Sequence, residues 1–526
     1  MHERDRESQA GATGTVPSVP SATVQSDAID PFSPRSDLHF RQTSVRGGSH
    51  TMLAQGVKYG VDVVAIMVFA RLLQPEDFGL IAMVTAVVGF LAIFKDAGLT
   101  FATVQREEIH EAQVSGLFWI NVSVGVLLAG GAAAVSPRVA GFFGDPRLVG
   151  LTWALAGSLA LAGLEAQHAA LLRRQMRFGT VATIQTVSQL VGTAAGLGAA
   201  FAGLGVWSLV VRTLATAALS WIATWIALPW RPLAPWHARD VGPLLRFGGW
   251  VSAFGAFNHV GRNLDNVLIG RFFGGAALGL YTKAYALLLL PVQMINTPVS
   301  AVAIPALSRL RANPEHALRY YYRALAMVAS LAMPVVTFLA AVSDSFVLTL
   351  LGPQWSDAAG LFRILAIPAF IGTLNVATGW VFLSEGRVRQ QFVAGVANTL
   401  VGSAAIVIGL QWGVVGVAWA LAISALIRRP PTIWYCYRGT PYRVSGLLTA
   451  VWRPACAAGV SGALAAIAHA LLAAELPAPV VLVIAGPLFA LSYLAALYTL
   501  PGGRAWVGDW LGNLRWLRSS PAQVAA

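Results

Sequence analysis

Long apolar runs separated by short polar connections fill the chain from residue 51 onward. A helix needs roughly 20 mostly apolar residues to cross the hydrocarbon core of a bilayer. Runs of that length recur and predict an all-α polytopic membrane protein with about fourteen transmembrane helices. The predicted spans are residues 51–70, 78–98, 113–135, 148–170, 178–202, 204–228, 247–270, 279–303, 322–343, 358–382, 390–411, 413–428, 448–472 and 478–500.

The first twelve spans contain an internal repeat. Residues 68–84 align without a gap on the sequence 200 positions later, which places Arg71 over Arg271 and Gly79 over Gly279. Few residues are identical, but helix ends and turn residues recur at nearly the same spacing in both copies over six helices. An even number of spans gives both copies the same orientation. The repeat therefore predicts two six-helix lobes around an axis normal to the membrane, with a site between them near the midplane.

The same pattern predicts the organisation of the chain. The N-terminal stretch has no apolar run and is rich in Ser, Pro, Asp and Arg, which predicts a disordered cytoplasmic tail and not a signal peptide. The predicted segments are this tail (1–45), an N-lobe (46–230), a cytoplasmic link (231–246), a C-lobe (247–437), helices 13 and 14 (438–500) and a C-terminal cytoplasmic tail (501–526).

Composition excludes a soluble protein. Of 526 residues, 56% are hydrophobic and 11% are charged, with a mean hydropathy of +0.65, whereas soluble domains carry about 25% charged residues. The net charge is +13, yet the arginines fall in small groups between apolar runs, which argues against a nucleic-acid partner. Cys436 and Cys456 have no spacing typical of a disulfide framework or a zinc site. We predict no metal, no cofactor and no enzymatic chemistry.

Arginine placement predicts the orientation. If the N-terminus is cytoplasmic, the connections and tail on that side hold 21 arginines, among them Arg428 and Arg429, and the opposite connections hold four. Cytoplasmic connections are enriched in Lys and Arg. Both termini are therefore predicted to be cytoplasmic. The outer connections at 136–147 and 344–357 are expected to be short and nearly featureless.

Several stretches resemble a known family of exporters. They are "ARLLQPEDFGLIAMV" followed by "KDAGL", then "RRQMRFGTVA", "VLIGRFFGGAALGLYTKAYALLLLP" and "LLGPQW", within residues 41–440. They look like Wzx-type lipopolysaccharide and capsule flippases, particularly the colanic-acid type, in the polysaccharide branch of the MOP exporter superfamily. The resemblance implies two six-helix lobes plus an extra helix pair. It also implies transport of undecaprenyl-diphosphate-linked oligosaccharide from the inner to the outer leaflet of the bacterial inner membrane, for O-antigen, capsule or exopolysaccharide. Polysaccharide polymerase and assembly proteins are then expected partners.

Such transport requires a hydrated, cationic cavity between the lobes, and span 7 carries candidates for it. Asn258, Arg262, Asp265 and Asn266 fall within an arc of about 100° on a helix. A charge at the bilayer centre costs roughly 2.5–3.5 kcal/mol, so this face should point at water or a partner. Arg262 is the candidate for the diphosphate, because a guanidinium can bind phosphate oxygens with two hydrogen bonds. Asp265 is a candidate for gating or ion coupling. Alternatively, Arg262 and Asp265 only neutralise each other.

Other spans supply further candidates. Lys58 and Asp62 share one face of span 1, and Asp62 is the repeat counterpart of Arg262. This predicts either a gate or ion-coupling acid that meets Arg262 across the lobes, or a local Lys58–Asp62 bridge. Lys283, one turn into span 8, is expected to bind substrate or to reach the outer interface. Arg212 in span 6 is a similar case.

Three other functions stay open at this point. The first is a multidrug or lipid II exporter of the same superfamily, although drug exporters favour acidic residues in the cavity. The second is a polytopic polysaccharide polymerase or ligase, although such enzymes carry a large outer loop for catalysis. The third is a scaffold for a polysaccharide assembly complex.

Overall fold

A computed structural model of the protein describes residues 60–95, 99–106, 109–234 and 242–504, together with positions 56 and 508. Regular structure in this part of the chain is helical, without strands. The helices are α1 (60–72), α2 (Pro75–Ala92), α3 (Leu99–Gln105), α4 (Glu111–Phe143), α5 (Arg147–Arg174), α6 (Phe178–Phe201), α7 (Trp207–Ala227), α8 (Gly242–Arg309), α9 (Pro314–Ala341), α10 (Ser343–Leu350), α11 (Ala358–Ser384), α12 (Val388–Gly409), α13 (Gly413–Tyr437), α14 (Val444–Leu472) and α15 (Ala478–Thr499). The N-terminal tail and Lys58 lie outside the described residues.

Helical residues overlap each of the fourteen predicted spans, and the all-α membrane fold is confirmed. Among the described residues, ten helical stretches are long and apolar enough to cross a membrane. Two of these, 255–312 and 388–437, each contain two predicted spans. The exact number of fourteen crossings stays a prediction, as do the boundaries of the predicted segments.

Helix α8 consists of two helices that meet at Gly274. This residue has φ 80° and ψ −177°, a conformation that is essentially restricted to glycine. We call residues 242–273 α8a and residues 275–309 α8b. The break separates predicted spans 7 and 8 with a single residue, so the polar residues of α8a and those of α8b lie on adjacent helices.

Two predicted outer connections differ from the structure. The connection predicted at 136–147 is mostly helix, because α4 continues to Phe143 and leaves only residues 144–146 as a turn. At 33 residues, α4 is roughly 50 Å long, whereas the hydrocarbon core is about 30 Å thick. An apolar run therefore predicts only the part of α4 that lies in the core, and not its C-terminal end. The connection predicted at 344–357 contains α10 and the short 3-10 helix Pro353–Trp355. Neither connection is featureless.

Arg428 and Arg429 lie within a helix and not in a connection, whereas the side of the membrane on which they lie stays a prediction. Both were placed in a cytoplasmic connection, but α13 continues to Tyr437 and holds both as half-buried residues. The two prolines that follow them, Pro430 and Pro431, also lie inside the helix. Two arginines followed by two prolines are typical of a helix end. In the structure, α12 packs against this part of α13, and its Asn398 carbonyl oxygen accepts a hydrogen bond from the Arg428 side chain.

The lobes meet where α2 crosses α8b. A Cβ atom added to Gly79 would lie 1.8 Å from the carbonyl oxygen of Gly275, and one added to Gly279 would lie 1.7 Å from that of Pro75. Small residues at a membrane-helix crossing allow such close backbone approach. Both pairs are related by the shift of 200 residues. The crossing therefore has the symmetry that the repeat predicts.

A second lobe contact lies at the C-terminal end of α1. The carbonyl oxygen of Ala70 accepts hydrogen bonds from Gln354 Nε2 (2.7 Å) and Trp355 Nε1 (2.8 Å). Arg71 Nη2 donates to the carbonyl oxygen of Thr349 over 2.8 Å. The last carbonyls of a helix have no partner within it. Side chains of the C-lobe satisfy one of them here and close the lobes together at the predicted outer end.

Candidate functional site

The N-lobe side of the lobe boundary holds an ion pair supplied by three helices. Asp62 Oδ1 accepts from Arg212 Nη2 (3.0 Å) and from Gln189 Nε2 (2.6 Å). The Asp62 and Arg212 side chains are each 26% exposed, and the Arg212 guanidinium lies over the Phe69 ring. Asp62 is therefore bound within its own lobe, and the predicted gate pair with Arg262 is not formed in this structure.

The C-lobe acid is held differently. Asp265 is 7% exposed. Its Oδ2 accepts from the Tyr281 hydroxyl over 2.6 Å, and its Oδ1 accepts from the backbone N–H of Asn266 over 2.9 Å. Tyr281 lies on α8b, so this contact joins the two helices on either side of Gly274. The Arg262–Asp265 pair that the sequence left open is not formed.

Arg262 is exposed, and in the described part of the chain its side chain has no hydrogen bond or ion pair. Two other members of the predicted arc lie near it: Asn266 donates to Asn263 Oδ1 over 3.3 Å, and Asn258 is half-buried. The arc is thus divided into a buried acid and an accessible cation. The role of each residue stays a prediction.

Lys283 reaches across the lobe boundary. Its Nζ lies 3.9 Å from the centre of the Phe78 ring on α2, a distance typical of a cation–π contact. It also lies within electrostatic range of Arg212 on α7. Lys283 therefore lies at the crossing of α2 and α8b, and its role stays a prediction.

Arg428 is a further cation that sequence reasoning missed as a site residue. Its side chain lies between α12 and α13 and donates to Asn398 O over 2.7 Å. A signal was present in the sequence, because Ser424, Arg428 and Thr432 follow at intervals of four and share one helix face. The Tyr285 hydroxyl lies within electrostatic range of both Arg428 and Arg262, which links Arg428 to the other cations.

The charge balance of the lobe boundary is positive. Both carboxylates already accept hydrogen bonds, whereas several cations have no carboxylate partner among the described residues. The cations are Arg212, Lys283 and Arg262, and the acids are Asp62 and Asp265. Such an arrangement can hold an anionic group. In the same part of the chain, no three His, Cys, Asp or Glu side chains are grouped to hold a metal ion.

Charge at the predicted outer rim is organised separately. Arg147 contacts Glu76 and lies 2.6 Å from Asp145 Oδ2. Its hydrogen bonds hold the pKa of Asp145 below the usual range. These side chains pair with one another at the outer rim and do not compensate the cations of the lobe boundary.

Comparison with known proteins agrees with this picture. A family model described as "Polysaccharide biosynthesis protein" matches residues 68–360, which is more than half of the chain. The lipopolysaccharide biosynthesis protein WzxC of Escherichia coli (strain K12) is 24% identical over 393 residues, covering 74% of this chain and 80% of WzxC. The teichuronic acid biosynthesis protein TuaB of Bacillus subtilis (strain 168) is 29% identical over 341 residues, covering 64% and 71% of the two chains.

Solved structures share the fold. The lipid II flippase MurJ in an inward closed conformation has a TM-score of 0.68 at 13% identity, covering 85% of this chain and 98% of that chain. An inward-facing multidrug resistance MATE family transporter of the MOP superfamily has a TM-score of 0.57 at 13% identity, covering 74% and 95%. The resemblance to Wzx-type proteins of the MOP superfamily is confirmed, and the chain belongs to the polysaccharide biosynthesis protein family.

Proposed function

We propose that the protein is a flippase that moves polyprenyl-diphosphate-linked oligosaccharide from the inner to the outer leaflet of the bacterial inner membrane. The observation that carries this proposal is the uncompensated positive charge where the two lobes meet, with Arg262 exposed and free of a carboxylate partner among the described residues. A diphosphate is the part of such a substrate that needs cations, and the relatives serve polysaccharide biosynthesis.

The chemistry required of the protein is binding and movement alone. The Arg262 guanidinium would bind phosphate oxygens with two parallel hydrogen bonds, and Lys283 would add a second positive charge from α8b. The polyprenyl chain stays in lipid while the sugars enter the cavity between the lobes. Outward opening would break the contacts of Ala70 with Gln354 and Trp355. The protein would thus alternate between access from each side.

A multidrug exporter is the less favoured alternative, because the excess of cations at the boundary would repel a cationic drug. Lipid II also carries a polyprenyl diphosphate, and its transport needs a direct test. A polymerase or ligase would require catalytic groups on the outer face, and a scaffold would require no charged boundary at all.

The test is transport by the purified full-length protein in liposomes. A fluorescent polyprenyl-diphosphate oligosaccharide would be placed in both leaflets, and a membrane-impermeant quencher would report its exchange between them. We expect exchange at least about tenfold above protein-free liposomes, equivalent to about 1.4 kcal/mol of barrier. Exchange of lipid II at an equal rate would instead favour a lipid II exporter. In cells depleted of the protein, accumulation of lipid-linked sugar in the outer leaflet would point to a polymerase.

The predicted orientation is tested by cysteine labelling of intact cells. Because native Cys456 is exposed, it is first replaced by serine. A cysteine at exposed Asp357, in the predicted outer connection, should react with a membrane-impermeant maleimide. A cysteine at exposed Glu315, in the first turn of α9, should react only after the cells are opened. The opposite pattern would reverse the assignment of both termini to the cytoplasm.

A further inference from the structure

An apolar groove lies along the α12–α13 hairpin. Its volume is about 670 Å³, within the range of about 300–1,000 Å³ that is usual for ligand pockets. It extends from Trp412 at the junction of the two helices to Ile427 on α13, and Val401, Ile408 and Ile423 form its exposed walls. A surface of this kind in a membrane protein accommodates a hydrocarbon chain. We call it the α12–α13 groove.

Small residues give the groove its shape. Gly409 and Gly416 bring the two helices into backbone contact, since a Cβ atom on Gly416 would lie 2.3 Å from the carbonyl oxygen of Gly409. Ala404 and Ala420 line the groove next to this contact. Larger residues at these positions would fill the space. The depth of the groove is therefore a consequence of the local sequence.

The inner end of the groove meets the Arg428 side chain. Ser424 lines the groove, and Arg428 donates from Nε to the Ser424 carbonyl oxygen (3.0 Å) and from Nη2 to the Ser424 hydroxyl (3.3 Å). Gly402 on α12 leaves room for the guanidinium, because a Cβ atom there would lie 2.8 Å from Nη1. The apolar surface and the cation are thus contiguous.

The charge of Arg428 is not compensated by a carboxylate among the described residues. The three hydrogen bonds of its side chain go to neutral oxygens of Ser424 and Asn398, and a guanidinium has five N–H groups. The adjacent Arg429 adds a second cation, whose buried Nε has no hydrogen-bond partner in this part of the chain. An uncompensated cation within a membrane bundle requires an anion or water, and phosphate matches a planar guanidinium well.

We propose that the α12–α13 groove and Arg428 form one site for the polyprenyl-diphosphate end of the substrate, with the polyprenyl chain in the groove and phosphate oxygen on Arg428. This inference rests on the proposed flippase function. Arg428 lies nine residues before the end of α13, roughly 14 Å along the helix. A lipid from the inner leaflet would extend its chain outward from Arg428 toward Trp412, in the direction of the groove.

The geometry favours a polyprenyl chain over a membrane phospholipid. The groove is lined by two helices and is suited to a single chain, whereas a phospholipid has two acyl chains and keeps its headgroup at the membrane surface. Tyr285 lies within electrostatic range of both Arg428 and Arg262. The proposed phosphate site also lies beside α8a, because Gly261, the neighbour of Arg262, packs against Thr399 of α12.

The experiment is photo-crosslinking of the full-length protein in liposomes with a polyprenyl diphosphate monosaccharide that carries a diazirine in its chain. We expect label on the peptide from α12 and α13, removed by unlabelled polyprenyl diphosphate and not by phosphatidylglycerol. Ala404→Phe fills the groove at an exposed position. It should raise the concentration of unlabelled polyprenyl diphosphate needed to remove the label about tenfold, or about 1.4 kcal/mol. Val407→Phe, on the same helix but outside the groove, is the matched control and should leave it unchanged.

A second variant tests the cation. Arg428→Lys keeps the charge and should retain part of the labelling, whereas Arg428→Gln should reduce it at least about fivefold if the folded protein is recovered. Label on other helices, or equal competition by phosphatidylglycerol, would overturn the inference. Normal liposome transport by Ala404→Phe would also overturn it while leaving the flippase function intact. Absence of transport by the unmodified protein would instead refute the function.

Discussion

Asp62 and Arg262 occupy corresponding positions in the two lobes, yet they are in opposite electrostatic situations. Asp62 is bound to Arg212 and Gln189 within the N-lobe, so the charge on that side is compensated. Arg262 has no carboxylate partner among the described residues, and the acid near it, Asp265, is buried against Tyr281. Two halves with the same helix arrangement therefore present different surfaces to the lobe boundary.

This difference indicates where an anion would bind. In the N-lobe, an incoming phosphate would have to compete with Asp62 for the Arg212 guanidinium. In the C-lobe, Arg262 and Lys283 have no acid to displace among the described residues. Repeat symmetry is seen in the close crossing of α2 with α8b, whereas side chains that break the symmetry favour phosphate binding on one side in the function that we propose. The variants below test this asymmetry.

The largest expected effect is that of Arg262→Ala. Loss of one charge-assisted contact to phosphate removes about 1.5–3 kcal/mol of binding, or roughly 10–150-fold, so we expect liposome transport to fall to near background. Protein abundance should stay normal, because Arg262 pairs with no acid in the described chain. Arg262→Lys should retain part of the transport, since the charge remains and only the two-pronged hydrogen bonding is lost.

The matched control is Arg271→Ala. Arg271 is an exposed arginine on the same helix, α8a, where it lies over the Phe142 ring near the predicted outer end. This variant should transport at a normal rate. Equal loss of transport in the Arg271 and Arg262 variants would show that overall charge matters, and it would remove the special role of Arg262.

The next effect concerns the N-lobe pair and appears in stability. Asp62→Asn leaves Arg212 without its charge partner, and breaking a buried ion pair costs about 3–5 kcal/mol. Because about a quarter of each side chain is exposed, we expect the lower end of this range. The thermal midpoint of the purified protein should drop, and Asp62→Asn with Arg212→Gln should recover most of it. An unchanged midpoint in the single variant would show that Asp62 does not stabilise the N-lobe.

The sequence predicted the fold well and the site only in part. Apolar run lengths located the helices because lipid exposure requires apolar residues over a fixed length. The run lengths missed the full length of α4, which exceeds the bilayer thickness. They also missed the continuation of α13 beyond Arg428, where α13 packs against α12. The candidate residues Asp62, Arg212 and Lys283 do lie at the lobe boundary. Their partners were not predictable, because the choice of Arg212 over Arg262 for Asp62 depends on how distant helices pack.

The smallest effect is expected when the same Asp→Asn change is made in the C-lobe. Asp265 has no cationic partner in the described chain, and a neutral amide avoids the cost of a buried charge. In Asp265→Asn, the introduced side chain would accept the backbone N–H of Asn266 through its oxygen and donate from its amide to the Tyr281 hydroxyl, which can accept as well as donate. We therefore expect the thermal midpoint to change by less than that of Asp62→Asn, with a free-energy difference below about 1 kcal/mol.

Transport by the Asp265→Asn protein separates a hydrogen-bonding acid from an ion-coupling acid. If Asp265 serves only to join α8a to α8b, the variant should transport within about twofold of the unmodified protein, or about 0.4 kcal/mol, at every pH tested. Tyr281→Phe should be worse, because it leaves the Asp265 carboxylate without its donor from α8b. Loss of transport in Asp265→Asn at an unchanged thermal midpoint would contradict this expectation. It would show that the C-lobe acid must ionise and would assign ion coupling to the side of the boundary for which we propose phosphate binding.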